Sequence, residues 1–596
     1  MKRFKLNLLG RTSGSLRQLM FLLLMCSTQL MYAAYQGEYD FVYNGIHYRI
    51  GSYASGDRAE VSVINVSHQY DELGMVIPVS EGYSGNIEIP SEFYYKDFLS
   101  NSDTTIPYCV VSIDWYAFYN CSRLESVSIP ESVRTIWAWA FAGCTNLKKV
   151  TLPLNIDRIP DRTFYGCSNL QEIEIPLNVT VIMDEAFEGC ESLPDELFLN
   201  HIEHIGRRAF ARCNNIKSLT LSDNSISLHE EAFAECENLA EVTINMKRLH
   251  IYYRAFDGCH NLKRAIINEG VELIDGRLTP EGVAEVHIPN IETLLNIQFT
   301  DTNPFWGEIE LGGGWGMIQY YSLYIDGEKV TNLVIPDGVD HIGDYTFAYC
   351  EGLTSVTIPS GVISIGEYSF DSCKDLTDVI LPNSVTTIGT AAFSGCPLTS
   401  IALPKDIKRI NSHTFWGCGF TSVTIPNNVT EIGNGAFGMC LKLTEVEIPN
   451  SVTILEDCVF QGCTKLAKVT IPSSVTEIGR QAFNGCVVLK EIHTLNTTPP
   501  NIYKSAFSAT FDEFTEQNAI LYVPKGCVPV YSEHPYWGRF ATILEEGTSS
   551  IDRIVSSSTE TIEQIHTLDG RALDAGNFST LPKGIYIINS KKVVVK

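Results

Sequence analysis

Fourteen of the 18 cysteines in this 596-residue chain stand three residues after a phenylalanine, in two series of seven, Cys121 to Cys259 and Cys350 to Cys486. A thiol can cross-link, ligate a metal or attack as thiolate. Coils stacked at strand spacing, about 4.8 Å, would bring neighbouring cysteines within the Cα separation of a disulfide. In-register neighbours, however, point their Cβ atoms in parallel, and seven is odd. The column is therefore expected to be reduced and buried, each cysteine acting as a small hydrophobe. Other chemistry is sparse. His201 and His204 flank Glu203, but the repeat phase puts them in a strand bend with no Cys or Asp at ligand spacing. The acid pairs Glu230-Glu231 and Glu545-Glu546 fall in turns or linkers, and neither a Gly-x-Ser-x-Gly elbow nor a phosphate-binding Gly-x-x-x-x-Gly-Lys run occurs. No cofactor, no metal site and no enzymatic activity are expected.

The elements that position these cysteines repeat with them. Phe118, Phe141, Phe164, Phe187, Phe210, Phe233 and Phe256 recur every 23 residues. Phe347, Phe370, Phe393, Phe415, Phe437, Phe460 and Phe483 follow, with two steps of 22. Such a period means stacked coils. After each cysteine a Leu-x-x-Val-x-Ile segment alternates at period two, and a proline follows (Pro130, Pro153, Pro176, Pro359, Pro382, Pro404, Pro426, Pro449 and Pro472). Lacking an N–H, that proline ends the strand. A second apolar pair comes next, as in Val385 and Ile388 before Gly389. Each coil thus offers two short strands and an Ala-Phe turn. Both shortened steps lose their residue just after the cysteine, at Cys396-Pro397-Leu398 and Cys418-Gly419-Phe420, which is expected to leave the strands in register.

The chain carries 43 Lys+Arg against 70 Asp+Glu, a net charge of −27. Its first 33 residues hold five bases, no acid, an apolar run at 19–26 and small residues at Ala33-Ala34, and read as a secretory signal. Without them the charge is −32. Cys26 also offers a lipidation reading. No later stretch is long and apolar enough for a transmembrane helix. The negative surface argues against nucleic acid as partner.

The template Ala-Phe-x-x-Cys, Leu-x-x-Val-x-Ile-Pro and Ile-Gly, repeated fourteen times between residues 106 and 495, resembles the BspA-like leucine-rich repeat proteins of bacterial surfaces. The resemblance reaches both ends. Phe41-Val42-Tyr43-Asn44-Gly45-Ile46-His47-Tyr48 looks like that family's N-terminal cap. Leu521-Tyr522-Val523-Pro524-Lys525-Gly526 with Trp537 and Phe540 looks like its C-terminal cap. The last residues, with Leu568-Asp569-Gly570-Arg571 and Gly584-Ile585-Tyr586-Ile587, resemble a shortened type IX sorting domain, a structural β module being the plain alternative. The expected fold is a leucine-rich-repeat solenoid with short parallel strands, β-rich caps and a small C-terminal β domain. Its divisions are a signal at 1–33, an N-terminal cap at 34–105, a first regular block at 106–260, and degenerate coils with inserted loops at 261–336. A second regular block at 337–495, a C-terminal cap at 496–545, a linker at 546–561 and the tail domain at 562–596 complete the chain.

The residue between the two strand hydrophobes points outward and is often threonine: Thr151, Thr220, Thr243, Thr357, Thr424 and Thr470. Stacking would make these a ladder, either simply good strand formers or a docking face. Aromatics supply a second candidate, Trp306, Trp315 and Tyr320 in the irregular middle, with Trp137 and Trp139 replacing the usual small residues before Phe141. The resemblance implies an exported protein of the cell surface, outer membrane or extracellular space. It implies non-catalytic adhesion to a macromolecule of host or neighbouring cells, such as a matrix protein. A glycan-binding module and a passive envelope spacer are the alternatives.

Overall fold

Alternation and the following proline give each coil its first strand. In the coil of Phe141 that strand is Lys149–Thr151, with Val150 turned into the core between two exposed neighbours, and Arg158–Ile159 is the second strand after the bend. The computed structural model describes residues 40–54, 58–65, 82–96, 105–279, 281–300, 302–310, 316–503, 509–547, 565–567, 571–573, 584–588 and 591–595. The proposed signal, Cys26, Trp315 and most of the linker lie outside them. The contacts divide the chain into two units, residues 1–287 with 304–319, and residues 288–303 with 320–596.

In the first unit the hairpin Asp40–Tyr43 and Ile46–Ala54 turns at Asn44-Gly45, both at positive φ (49° and 77°), as a two-residue primed turn requires. Arg58–Val63, Thr105–Ile113, Glu92–Lys96 and the short Thr135–Ile136, paired with Thr105–Ile113, complete this sheet. Parallel ladders follow. Val127 faces Val150, which faces Ile173, while Ile159, Ile182, Ile205 and Leu228 form the second ladder. Where Ser222 and Asn245 replace the proline, nothing interrupts the ladder. The two short strands fuse into Ser218–Leu228 and Glu241–Ile251, 11 residues each and paired in register. Arg264–Ile267 and Leu273–Asp275 continue both ladders into the irregular middle, and Gly307–Glu310 with Gly316–Gln319 forms an antiparallel hairpin there.

The second unit repeats the plan with a fault. Asn332–Val334, Ser355–Thr357 and Asp378–Ile380 form one ladder and His341–Ile342, Ser364–Ile365 and Thr387–Ile388 the other. The deletions were expected to leave these ladders intact. Instead both stop before the first shortened coil, no strand forms at 401–403, and new ladders start at Arg409–Ile410 and Ser422–Thr424. The break is confined to the first shortened coil: across the second deletion Arg409 faces Glu431 and Ile410 faces Ile432, in register as expected. The phenylalanine stack runs on through both short steps, Phe393 to Phe415 at 6.0 Å and Phe415 to Phe437 at 5.6 Å, beside 5.8 Å for the full-length step from Phe437 to Phe460. Ile520–Val523 and Thr542–Glu545 extend the last ladder, and the described tail strands form a four-stranded antiparallel sheet.

The core is the turn column. Every repeat phenylalanine is at most 1 % exposed, and successive rings in the first series lie parallel at 4.9 to 5.4 Å. Tyr83 covers the first ring, Phe118, at 4.6 Å. In the second unit Phe511 packs on Phe483 at 5.2 Å, and Trp537 meets Phe511 edge-on. The turn is built by backbone rather than residue type. In all fourteen coils the residue two before the phenylalanine and the residue two after it have positive φ, from Trp139 (62°) to Arg162 (51°), and most of the former are not glycine. That geometry aims the phenylalanine N–H at the next coil, as from Phe118 to the Ala140 oxygen at 2.7 Å and from Phe141 to the Thr163 oxygen at 2.9 Å. The backbone donors of the bend are satisfied coil to coil.

Candidate binding surface

The cysteines are structural. The Cys144 Sγ donates to the Phe118 carbonyl at 3.0 Å, and the bond recurs at Cys167 to Phe141 (3.2 Å), Cys373 to Phe347 (3.1 Å) and Cys486 to Phe460 (3.2 Å). All fourteen column cysteines are free and buried. Burial pushes the Cys121 thiol up to about 11 and those of Cys167 and Cys440 to about 12, so they hold their protons at neutral pH. The histidines also have structural neighbours. The His201 Nε2 lies 3.1 Å from the Pro176 oxygen, and the His204 ring rests on His229 with centroids 4.1 Å apart. Among the described residues no group of three His, Cys, Asp or Glu side chains could hold a metal, and no helix is long and apolar enough to cross a membrane.

The outward column is brought together within each unit. Ser128 faces Thr151, and farther along Phe198, Thr220, Thr243, Ile266 and His287 stand opposite one another in turn. In the second unit Thr357 sits between Val334 and Ile380. Thr424, Glu447, Thr470, His493 and Tyr522 form a separate run beyond the fault. Every one of the six threonines is exposed or half-exposed. The hydroxyls are thus interspersed with apolar residues that reading the threonines alone overlooks: Phe198, Val334 and Ile380 are 60 %, 65 % and 56 % exposed. The signal for them was present in the outward phase of Leu197-Phe198-Leu199 and Leu333-Val334-Ile335. His493 stacks its ring on Tyr522 at 4.5 Å and holds its Nδ1 2.6 Å from a Glu546 carboxylate oxygen.

The aromatics of the irregular middle are partly covered. The Arg277 guanidinium lies over the half-buried Trp306 ring at 4.0 Å, and the Lys374 ammonium over the half-buried Tyr320 ring at 4.3 Å. Each is a cation–π contact that takes one ring face. The more open aromatic surface belongs to the first coils. Trp115 and Trp137, 39 % and 43 % exposed, stack at 5.7 Å and 22°. Beside them a groove of about 390 Å³ is walled by Trp137, Pro160 and Met183, with Arg134, Asp157, Arg158 and Asp161 at its polar positions. The wall has a cause in the repeat. These three residues occupy the position that six of the ten later coils give to glycine, as at Gly206, where a Cβ would sit 2.7 Å from the Asp184 nitrogen, and that His229, Tyr252, Asn411 and Glu456 fill in the others. Glycine closes neighbouring coils on one another there, whereas the early coils carry side chains at that place.

An ion-pair ladder runs along the turns of the same unit. Arg162 and Arg207 both reach Glu185, at 2.5 and 2.8 Å, while Arg208 bonds Glu188 at 3.0 Å and Glu231 at 2.7 Å. Glu185 and Glu188 are nearly buried, so these pairs fix one coil against the next.

The family model described as the BspA type leucine rich repeat region matches six copies in this chain, at residues 87–195, 182–303, 317–397 and 386–513. Comparison with curated proteins finds no match. Among solved structures, a leucine-rich repeat protein from Bacteroides ovatus is similar at 24 % identity and a TM-score of 0.36, covering 76 % of this chain and 94 % of that one. A leucine rich cell surface protein from Faecalibacterium prausnitzii is 22 % identical with a TM-score of 0.29, covering 77 % and 95 % of the two chains. A leucine rich repeat protein from T. pallidum is 26 % identical with a TM-score of 0.28, covering 36 % of this chain and 87 % of that one. With its turn column, strand ladders and proline bends matched over more than half its length, the chain belongs to the BspA-type leucine-rich repeat proteins.

Proposed function

We propose that the chain is an exported, cell-surface binding scaffold that captures a macromolecule of host or neighbouring cells along its outward strand column and performs no chemistry. The observation that carries this reading is the in-register run Thr424, Glu447, Thr470, His493 and Tyr522, one outward side chain per coil at strand spacing, of which His493 is only 15 % exposed. Such a run offers an extended partner one contact per coil. With a net charge of −27, a basic or neutral protein segment meets less repulsion than an anionic one. Residues 1–33, the glycine-rich loop around Trp315 and the tail at 562–596 keep their proposed roles as signal, accessory loop and sorting module.

The test is surface plasmon resonance of the whole protein over purified extracellular-matrix proteins of basic, neutral and acidic character. Saturable binding that favours basic or neutral ligands supports the reading. Absence of saturable binding to every ligand favours the envelope spacer instead.

A further inference from the structure

We infer that the groove beside Trp115 and Trp137 is a carbohydrate subsite that takes a neutral pyranose ring. Its indoles are exposed although the repeat makes no use of them: the column phenylalanines and cysteines, all inside, complete the core without them. Two indoles stacked on one another 22° from parallel, each about two fifths in water, offer apolar ring surface on which a sugar's C–H groups can pack. The polar positions fit the same occupant. Asp157 and Arg158 chelate one another through two 3.0 Å hydrogen bonds, which holds a carboxylate and a guanidinium in fixed places at the groove. With Arg134 and Asp161 they make two cations and two anions, so the groove selects no net charge. Hydroxyl groups both donate and accept and can use both signs at once. A volume of about 390 Å³, partly apolar with a few placed polar groups, suits one small ligand and not a peptide strand spanning several coils. The site is distinct from the strand column, and its success or failure leaves the scaffold reading untouched.

The experiment is saturation-transfer NMR with the whole protein and two neutral disaccharides, lactose and N,N′-diacetylchitobiose, followed by a neutral-glycan array. Transfer to the ring C–H protons of at least one sugar is expected. Trp137→Ala and Trp115→Ala should each bind about tenfold more weakly or worse, since about 60 Å² of apolar area is then no longer covered. Asp157→Asn should weaken binding while both indoles remain. Tyr94→Ala, an exposed aromatic elsewhere, should bind like the parent. Both tryptophans are exposed enough for the variants to fold, and unchanged circular dichroism and melting verify this for each. Trp137→Phe, which keeps a smaller ring, provides an intermediate point if an alanine variant melts early. No transfer to either disaccharide and no neutral glycan bound on the array would overturn the inference. So would equal binding by the parent and all the tryptophan variants, or loss in those variants of binding only to a deglycosylated protein ligand.

Discussion

At the scale of single residues, the Cys373 thiol donates to the Phe347 carbonyl, and the same bond joins most coils to the one before. The carbonyl has two lone pairs, one taken by the Cys350 N–H at 3.2 Å, and cysteine supplies a second donor in little volume. Replacing it with valine fills the space but removes one of that carbonyl's two donors, the Cys350 N–H at 3.2 Å remaining. Cys373→Val should therefore lower the unfolding free energy by about 0.5–1 kcal/mol, and Cys373→Ser, which still donates, by less. Denaturant titration compares the two, and a larger loss for serine would refute the role given to the bond. The raised thiol pKa values add a second expectation. In the folded protein at pH 8 the column cysteines should resist iodoacetamide and react only after unfolding, whereas Cys350 linked to Cys373 in non-reducing mass spectrometry would contradict it. The burial and redox state of this column followed from its parity and period. The carbonyl partner did not, because it depends on a coil offset of 26 residues that no local pattern displays.

Elements were legible where one residue type punctuates them. Proline marks the end of the first strand, and Ser222 and Asn245 in its place account for the long strands. The left-handed turn position before the phenylalanine was not legible, since residues such as tryptophan, arginine, glutamate and tyrosine occupy it in all coils but that of Gly435 and tertiary contacts hold the backbone there. The ladder fault escaped for a related reason: a deletion's location shows in the sequence, but how far the neighbouring coils adjust does not. Two predictions belong here. Arg208→Met leaves the nearly buried Glu188 without its main cation and should cost about 3 kcal/mol, and a loss under about 1 kcal/mol would contradict an ion-pair ladder. In the other unit, burial pushes the Asp371 carboxyl up to about 6, partly offset by hydrogen bonds from Ser394, Ser372 and Tyr349. A folded pKa above the unfolded value near 3.8 means that this group's contribution is fully present below pH ~4 and lost as the pH rises through about 6. The stability of Asp371→Asn relative to the parent should therefore increase by ~2–3 kcal/mol between pH 4 and pH 7, and a pH-independent difference would rule this out.

For the whole molecule, the period alone gave the fold class, while the binding surface was only half visible. The threonines were plain in their column, but Phe198 and Val334 extend that column with apolar side chains, and the Trp115–Trp137 groove arises where early coils carry side chains in a place that six later coils give to glycine. Departures from a repeat are harder to weigh than the repeat itself. Charge gives a prediction at this scale. Capture of a basic protein should weaken progressively between about 50 and 500 mM salt as screening shortens the reach of the negative surface, whereas binding of a neutral sugar should hardly change. The most direct test of the scaffold account is the triple variant Thr357→Arg, Thr424→Arg and Thr470→Arg, assayed by surface plasmon resonance against the matrix ligand that the parent binds best. These positions lie on the water side of their strands, so melting should be unchanged while three new cations and their long side chains stand in the column. The account predicts at least about a tenfold change in affinity for that ligand. Parental affinity in a variant that folds like the parent would show that the outward strand column is not where the protein binds.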